Sequence, residues 1–329
     1  MSEGIKGKLK TVLESAFPVA MEMRAIRKTD QYREQRYIEY IHMPKEERAR
    51  HLAENYRAVM GRELNLDDPK CFSEKINWRM IYDNHPVYTE LSDKYLVREW
   101  VKRKIGEEYL VPLFGVWDSF DEIDFDALPD AFVLKTNNGS GTNIIVSDKR
   151  QLNRKTAKGW IDLWMKYPYS IMGYEGHYDQ MKPRVIAEEL LKPEPGQEDI
   201  SDYKFLCFDG RPYYCWVDVD RRHGHKRNLY DIDWNEQNWQ FNTCFPRAGR
   251  NIPRPRNYDR MVEIVRKLCA GFAHVRVDLY NIDGKIYFGE MTFTTGNGLE
   301  KCEPDEMDYE LGKLWDIHKP QVDERVVNG

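Results

Sequence analysis

The chain has 329 residues, 41% of them hydrophobic and 13% aromatic, which is enough for two packed domains or for one domain with large additions. Its formal net charge is -5, with charged residues spread along the whole length, and this excludes a typical nucleic-acid-binding protein, which would show a basic excess. Six cysteines form no C-x-x-C pair, no signal peptide precedes them, and no apolar run reaches membrane-spanning length, so we expect free thiols and a cytoplasmic location.

Residues 1–92 predict a helical region. Apolar residues recur at helical spacing from Ile5 to Phe17, with lysines on the other faces, and charged helical sequence continues through Arg57. A basic amphipathic helix of this kind can lie on an anionic membrane, or it can pack against its own protein, which is the commoner outcome. Peripheral membrane association is therefore one of two interpretations of this segment.

The next segment, LSDKYLVREWVKRKIG, predicts a further helix. Ser92 is a suitable N-cap, Asp93 suits the positive end of the helix dipole, and Gly106 ends the helix. Lys94 would then lie in the first turn, where a cation is slightly unfavourable. This segment alone favours a surface lysine at that position.

Residues 132–146 predict two strands joined by a glycine-containing loop. Lys135 ends the first strand, and the loop runs from Asn137 to Gly141. Free backbone N–H groups in such a loop can close over phosphates, and Lys135 can meet the same charge. An ordinary hairpin with a lysine at the end of its strand gives the same pattern.

A short strand at Val185–Ala187 runs into the sequence EELL, and residues 193–198 are interpreted as a linker between subdomains. The hairpin DYKFLCFDGRPYYCWVDVD then turns at Asp209–Gly210. Period two sets Lys204 on the face opposite Phe205. The basic loop RRHGHKR follows this hairpin.

The segment HVRVDLYNIDGKIYFGEMTF, residues 274–293, predicts a hairpin with unusual charges. Its two runs of alternating apolar residues flank an Asp-Gly turn, which is a strong hairpin signal. Val275, Val277 and Leu279 face one side, so His274, Arg276 and Asp278 face the other. Buried unpaired charges are costly, and something of opposite charge must therefore compensate them.

The pairing of this hairpin decides whether its carboxylates meet. A regular two-residue turn would set Asp278 opposite Gly289 and leave Glu290 on the other face, whereas a bulge at Gly284 or at Gly289 would bring the carboxylates together. Two converging carboxylates repel unless a proton or a divalent cation lies between them, and oxygen ligands beside phosphate suit Mg²⁺. The alternative is a salt bridge between Arg276 and Glu290 on a solvated face.

Helical spacing returns between Met261 and Phe272, and a last short helix is expected to end near Ile317. The tail from Gln321 is expected to be disordered.

Taken together, these segments resemble the ATP-grasp superfamily, and within it the TupA-like ATP-grasp proteins of bacterial polysaccharide gene clusters. The likeness runs from about Phe72 to about Asp316 and rests on SEKINWRMIY, DKYLVREWV, FVLKTNNGSGTNIIV, AEELL, DYKFLCFDG, RNLYDIDW and VRVDLY…GEMTF, in that order. It implies an α+β ATP-grasp fold, in which two α+β subdomains grip ATP. The helical region 1–92 would precede subdomains at 93–192, with the glycine loop, and 193–320, with the metal site, and 321–329 would be the tail.

The resemblance also implies roles for single residues. It implies that ATP is held by two lysines, the glycine loop and the hinge sequence: Lys94, Lys135, Gly139, Ser140, Gly141, Glu188, Glu189 and Leu191. It implies that Lys204 meets the terminal phosphate and that Arg276 steadies an acyl phosphate. It implies that Mg²⁺ is held by Asp278, Glu290 and Thr292.

Two positions depart from the family pattern. The metal motif usually ends in Asn, where this chain has Thr292, whose hydroxyl is a weaker ligand. The glutamate that usually holds the ribose falls at Pro195, which leaves Glu194 and Glu198 as candidates.

The function implied by the resemblance is that of an ATP-dependent carboxylate–amine ligase. Transfer of the γ-phosphoryl group to a carboxylate gives an acyl phosphate, which an amine can attack. The expected partners are ATP, an amino acid or other amine, and an anionic glycan or uronate acceptor of surface polysaccharide biosynthesis. Arg222 and Arg227 of the basic loop are the predicted acceptor contacts, since arginine suits carboxylate and phosphate.

Other functions stay open at this point. Asp218-Val219-Asp220 is a D-x-D triplet of the kind that holds Mn²⁺ and a nucleotide sugar in many glycosyltransferases. The nucleotide site alone also suits an ATP-grasp kinase of a sugar, or a nucleotide-binding scaffold without turnover.

Overall fold

The structure is a computed structural model that describes residues 3–221, 224–242 and 245–327, with side chains from residue 18 onward except that of residue 242. Its helices are α1 (Glu3–Ile41), α2 (Lys45–Met60), α3 (Phe72–Tyr82), α4 (Pro86–Ser92), α5 (Val97–Lys104), α6 (Arg154–Lys166), α7 (Ser170–Gly173), α8 (Tyr258–Cys269), α9 (Glu306–Lys313) and α10 (Glu324–Val327). Its strands are β1 (Leu113–Trp117), β2 (Phe132–Thr136), β3 (Asn143–Val146), β4 (Val185–Glu189), β5 (Asp202–Phe208), β6 (Arg211–Val219), β7 (Lys226–Asp231), β8 (Gln240–Asn242), β9 (His274–Ile282), β10 (Lys285–Thr292) and β11 (Lys301–Glu303). The predicted α+β class and the N-terminal helical region are confirmed.

The chain divides into two compact units. Unit 1 comprises residues 1–43, 112–172 and 181–190, and its antiparallel sheet has the strand order β1-β4-β2-β3. Asn153 caps α6 by accepting the backbone N–H of Thr156 at 3.1 Å. The core of unit 1 includes Phe132, Leu134 and Ile161, which α6 and the sheet bury together. This sheet sets β2, and the loop that follows it, beside β4.

Unit 2 comprises residues 44–111, 173–180 and 191–329, and its antiparallel sheet has the order β10-β9-β5-β6-β7. On one face, α8 buries its apolar side against the strands, and each large aliphatic side chain buried there contributes about 1.5–3 kcal/mol. The residues in this core include Met261, Ile264, Val265, Leu268, Val275, Val277 and Leu279. The predicted apolar face of β9 is therefore confirmed.

The opposite face of this sheet is divided. Apolar residues of α3 and α9 pack on one part of it, with Phe208 and Trp216 of the strands. Charged side chains occupy the remaining part, and the candidate site lies there. Strands β8 and β11 pair as a separate two-stranded sheet.

Two local predictions differ from the structure. The helix predicted from Ser92 begins at Val97, because the Asp93 Oδ1 atom accepts the backbone N–H groups of Tyr95 (2.8 Å) and Leu96 (3.0 Å) and holds a turn there. This turn contains Lys94, which is half-buried.

The C-terminal segment is packed where disorder was expected. Val322 forms an isolated β-bridge with Phe272, and Val327 is buried in the core beside α8. Apolar contacts thus hold the described part of this segment.

Cysteines 71, 207, 215, 269 and 302 are free thiols, as predicted, and Cys244 lies outside the described residues. None of the described helices is long and apolar enough to cross a membrane.

Candidate active site

Charged residues from three adjacent strands of unit 2 line up on one face of the sheet. Strands β5 and β9 pair with Lys204 opposite Asp278, and β9 and β10 pair with Asp278 opposite Glu290. Arg276 and Thr292 lie two residues from these positions and share the face, since side chains alternate along a strand. The structure therefore brings together five of the residues predicted for phosphate, acyl phosphate and metal.

The pairing depends on a β-bulge. The turn residues Asp283 and Gly284 have φ angles of 51° and 86°, which suits a two-residue hairpin turn. The register shifts between Phe288 and Glu290, so the bulge is at Gly289 and not at Gly284. A Cβ atom on Gly289 would lie 2.9 Å from the carbonyl oxygen of Asp278, closer than real Cβ contacts allow. A glycine is therefore required at position 289, where the bulge sets Glu290 opposite Asp278.

The side chains of this face form a continuous ionic network. The Lys204 Nζ atom lies 2.7 Å from the Asp202 Oδ2 atom and 2.5 Å from the Asp278 Oδ2 atom. The guanidinium of Arg276 donates to both oxygens of Asp278, at 2.7 and 2.8 Å, and to the Glu290 Oε1 atom at 2.7 Å. The salt bridge between Arg276 and Glu290 thus exists, but Asp278 beside it is only 1% exposed, so this face is not simply solvated.

The network keeps Asp278 and Lys204 charged despite burial. Burial alone would raise the pKa of Asp278, but Arg276 and Lys204 hold it at about 2. Burial alone would lower the pKa of Lys204, and the carboxylates of Asp202 and Asp278 raise it above its usual value. For Asp202, burial outweighs the neighbouring cations and raises the pKa. The buried charges compensate one another, as the sequence required.

The donor set on this face is compatible with Mg²⁺. In the described part of the chain, no group of three or more His, Cys, Asp or Glu side chains is arranged to hold a metal. Mg²⁺ is commonly bound by one or two carboxylates together with phosphates of the substrate, and Asp278 and Glu290 supply that number. The Thr292 hydroxyl donates to the Glu290 Oε1 atom at 3.1 Å and lies next to the pair.

Unit 1 brings together a second set of predicted residues. The Lys135 Nζ atom lies 2.6 Å from the Oε2 atom of Glu188, which is buried on the neighbouring strand. The glycine loop is closed at its base by Thr136 and Thr142, whose hydroxyls lie 2.8 Å apart. Its residues Ser140 and Gly141 are exposed, whereas Gly139 is buried. The loop thus has a fixed base and an exposed tip.

One backbone group of the predicted adenine hinge, the sequence EELL at residues 188–191, already forms a hydrogen bond within unit 1. The backbone N–H of Glu189 donates to the carbonyl of Pro112 at 2.9 Å, so it is not available to adenine. Leu191 is half-buried and belongs to unit 2.

The predicted acceptor residue Arg227 lies in a strand, whereas a loop was expected. Arg222 lies outside the described residues. Arg227 belongs to strand β7 and makes a two-pronged contact with the Asp218 carboxylate, at 2.6 and 3.0 Å. Burial would raise the pKa of Asp218, but Arg227 lowers it below its usual value.

Asp202 and Glu175 also belong to unit 2, and neither was predicted from the sequence as a site residue. Asp202 lies two residues before Lys204, so the period of the strand was a usable signal. Glu175 contacts the hydroxyl of Thr294, which is 119 residues away, and no local pattern indicates that contact.

Among solved structures, the chain is similar to D-alanine–D-alanine ligase from Bacillus anthracis in complex with ATP, with 17% identity, a TM-score of 0.35, and coverage of 62% of this chain and 54% of that one. It is similar to the ATP-grasp ligase PsnB with its minimal precursor (15% identity, TM-score 0.35, 64% and 54% coverage). It is also similar to D-alanine–D-alanine ligase from Helicobacter pylori (12% identity, TM-score 0.36, 71% and 60% coverage). The chain spans just over half the length of the first of these ligases. No curated protein matches the sequence.

A match to a protein-family model assigns the sequence to a family. The model described as TupA-like ATPgrasp matches residues 74–316, about three quarters of the chain. That range contains the predicted phosphate, hinge and metal residues. The chain therefore belongs to the TupA-like ATP-grasp family.

Proposed function

We propose that the protein is an ATP-dependent carboxylate–amine ligase that activates a carboxylate as an acyl phosphate and joins it to an amine. The observation that supports this most is the ionic network of Lys204, Arg276, Asp278 and Glu290 on one face of the unit 2 sheet. Fixed cations beside paired carboxylates suit a reaction in which negative charge moves between a phosphoryl group and a carboxylate.

In the first step, a carboxylate oxygen of the acceptor attacks the γ-phosphorus of ATP, and ADP leaves. Lys204 meets the charge on the transferring phosphoryl group, and Arg276 steadies the acyl phosphate that forms. Mg²⁺ held by Asp278, Glu290 and Thr292 supplies further positive charge when it is bound. In the second step, the amine nitrogen attacks the acyl carbon, phosphate leaves, and the nitrogen loses a proton. No side chain of the protein needs to act as a nucleophile.

The ATP contacts implied by the family likeness are part of this proposal. The exposed tip of the glycine loop and Lys135, the second-last residue of β2, support a role for this segment at the phosphates. The proposed ATP contacts are Lys94, Lys135, Gly139, Ser140, Gly141, Glu188, Leu191 and Glu189, the last through a group other than its backbone N–H.

The acceptor is proposed to be a uronic-acid-containing surface polysaccharide or its precursor, to which an amino acid is attached in the cytoplasm. Arg222 and Arg227 are the proposed acceptor contacts. In favour of Arg227, its Nη1 atom is buried and has no hydrogen-bond partner, although Glu300 lies 3.6 Å from it. Peripheral membrane association through α1 is part of the same proposal, since such an acceptor can be lipid-linked.

The match to the TupA-like ATP-grasp family model disfavours the glycosyltransferase alternative, and both carboxylates of its D-x-D triplet are paired with arginines. Both oxygens of Asp218 accept from Arg227, and both oxygens of Asp220 accept from Arg250 at 2.8 Å. The sugar kinase remains a competing function. Identifying the product of the reaction distinguishes it from the ligase.

The test combines purified protein, Mg-ATP, an amino acid and a uronic-acid-containing acceptor. We expect an amide, ADP and phosphate, formed together and only when both the amine and the acceptor are present. A product that carries a phosphate would establish the kinase instead, and a sugar transferred from a nucleotide donor would establish the glycosyltransferase. Nucleotide binding without any turnover would leave the scaffold function.

A further inference from the structure

Glu175 is a buried carboxylate next to the strand that carries Glu290 and Thr292. It is 5% exposed and belongs, like that strand, to unit 2. The Thr294 hydroxyl donates to the Glu175 Oε1 atom. The Asn297 amide, with its nitrogen turned toward Glu175, donates to both carboxylate oxygens at 3.2 and 3.3 Å. Two neutral side chains therefore hold the carboxylate in a fixed position.

The other buried carboxylates of the described chain fall into two groups. Five are paired with a lysine or arginine side chain: Glu188, Asp202, Asp218, Asp278 and Asp308. Two accept backbone N–H groups at turns or helix starts: Glu74 and Asp93. Within the described residues, Glu175 is the buried carboxylate that has neither kind of partner.

The surroundings of Glu175 leave its negative charge poorly compensated. Burial raises the pKa of Glu175 to about 7, the Thr294 hydroxyl lowers it, and the charge of Glu290 raises it further. Arg276 acts in the opposite direction but forms its hydrogen bonds with Asp278 and Glu290. A buried carboxylate in such a place is stabilised by any cation that comes within reach.

Glu175 is also close to the proposed reacting groups. Its partner Thr294 is two residues beyond Thr292, which corresponds to roughly 7 Å of extended chain. The amine substrate of a ligase arrives as an ammonium ion and must be held near the acyl phosphate. A fixed carboxylate at this distance has the charge that such a group needs, and it can accept further hydrogen bonds.

We propose that Glu175 binds the ammonium group of the amine substrate, an inference that rests on the ligase function proposed above. The amine binds as an ammonium ion and loses one proton to solvent before its neutral nitrogen attacks the acyl carbon. The second proton leaves that nitrogen after the attack, as phosphate departs. Glu175 serves the second half of the reaction, and Lys204 and Arg276 serve the first half.

The test separates the two halves with hydroxylamine, an uncharged nucleophile that traps acyl phosphates as hydroxamates. Glu175→Gln keeps the size of the side chain and can still accept from Thr294. We expect this variant to raise the KM for the amine by about 10- to 100-fold, since a hydrogen bond between charged groups is lost. The KM for ATP and the rate of hydroxamate formation should stay within about twofold of wild type, because neither involves the ammonium group.

Glu303→Gln is the matched control, because it makes the same change at an exposed glutamate of β11, and all its rates should be those of wild type. If Glu175→Gln does not fold, as judged by thermal melting, Glu175→Asp takes its place. That variant keeps the charge, but its side chain is one methylene shorter. It should also raise the KM for the amine without changing the KM for ATP.

Two results would overturn the assignment of Glu175. An unchanged KM for the amine would show that Glu175 does not contact it, and an equal loss of amide and hydroxamate would show that it only supports the turn at Thr294 and Asn297. A wild-type protein that forms neither amide nor hydroxamate would instead refute the ligase function itself, whatever the variants do.

Discussion

Glu290 and Asp278 face the same spot but differ in what their removal would do to the fold. The side chain of Glu290 is 39% exposed, whereas that of Asp278 is 2% exposed and neutralises both Lys204 and Arg276. Glu290→Gln should therefore leave the protein folded while ADP production falls about 100-fold or more. Asp278→Asn should lose turnover and also about 3–5 kcal/mol of unfolding free energy, because a buried ionic network is broken. ADP release and urea unfolding measure the two effects, and wild-type ATP consumption by Glu290→Gln would contradict the metal site.

Three lysines test which cations contact the nucleotide. Lys204 is buried between two carboxylates, and Lys135 lies next to the end of β2, beside Glu188. Lys102 of α5 is exposed and pairs with Glu107 at 3.0 Å. Lys135→Ala and Lys204→Ala should each weaken ATP binding by about tenfold or more, since a hydrogen bond to a charged group is lost. Lys102→Ala should leave the affinity unchanged. Calorimetric titration with ATP gives the comparison, and small, equal effects at all three positions would mean that Lys135 and Lys204 are structural.

At the scale of elements, the bulge of the β9–β10 hairpin controls the site. The close approach of Gly289 to the Asp278 carbonyl leaves no room for a side chain there. Gly289→Ala should cost about 1–3 kcal/mol of unfolding free energy, because the strands must separate or slip. It should also reduce ADP production, since Glu290 would no longer lie level with Asp278. A variant with wild-type stability and wild-type activity would show that the strands absorb the extra methyl group without changing register.

This hairpin also shows how far the sequence could predict the site. Alternation along β9 placed Arg276 and Asp278 on the face opposite the apolar core, and the Asp-Gly pair placed the turn. The choice between a bulge at Gly284 and one at Gly289 was not predictable, because both positions are glycines and the decision depends on contacts across the strands. The interaction of Glu175 with Thr294 was equally out of reach, since it joins segments far apart in the chain.

The start of α5 was predicted wrongly, and the reason is more local. Ser92 and Asp93 are both good capping residues, and the sequence could not tell which of them would bind the backbone. In the structure, α4 includes Ser92 and the Asp93 side chain holds the following turn. Lys94 therefore lies between two helices and not in the first turn of one.

At the scale of the whole molecule, buried histidines make the stability depend on pH. Burial and the charge of Arg79 lower the pKa of His177 to about 3, whereas a histidine in the unfolded chain titrates near its usual value. Between these two pKa values the unfolded state binds the extra proton, so stability is lost as the pH falls from about 6.5 toward 3. By pH 5, His177 alone should account for a loss of up to about 2 kcal/mol relative to pH 7.

Urea unfolding of wild type and of His177→Gln at pH 7 and pH 5 measures this loss. The variant should lose less stability than wild type between the two pH values. His274, whose pKa burial lowers, and Glu175, whose pKa burial raises, are present in both proteins and cancel in the comparison. An identical loss in the two proteins would show that His177 accepts protons readily in the folded state.

The bridge that Arg276 makes between Asp278 and Glu290 means that the chain carries its own counter-ion at the place where a divalent ion is expected. A divalent ion that arrives alone has to compete with a guanidinium that cannot diffuse away. Nucleotide phosphates attract the same guanidinium and thereby leave the carboxylates open. Metal and nucleotide should then bind cooperatively, each tightening the other by the same factor.

We expect Mn²⁺ to bind about tenfold or more tightly in the presence of ADP than alone, as measured by electron paramagnetic resonance. Arg276→Met should raise the affinity for Mn²⁺ alone, so that the arginine acts as an exchangeable ion that sets the order in which the substrates are taken up.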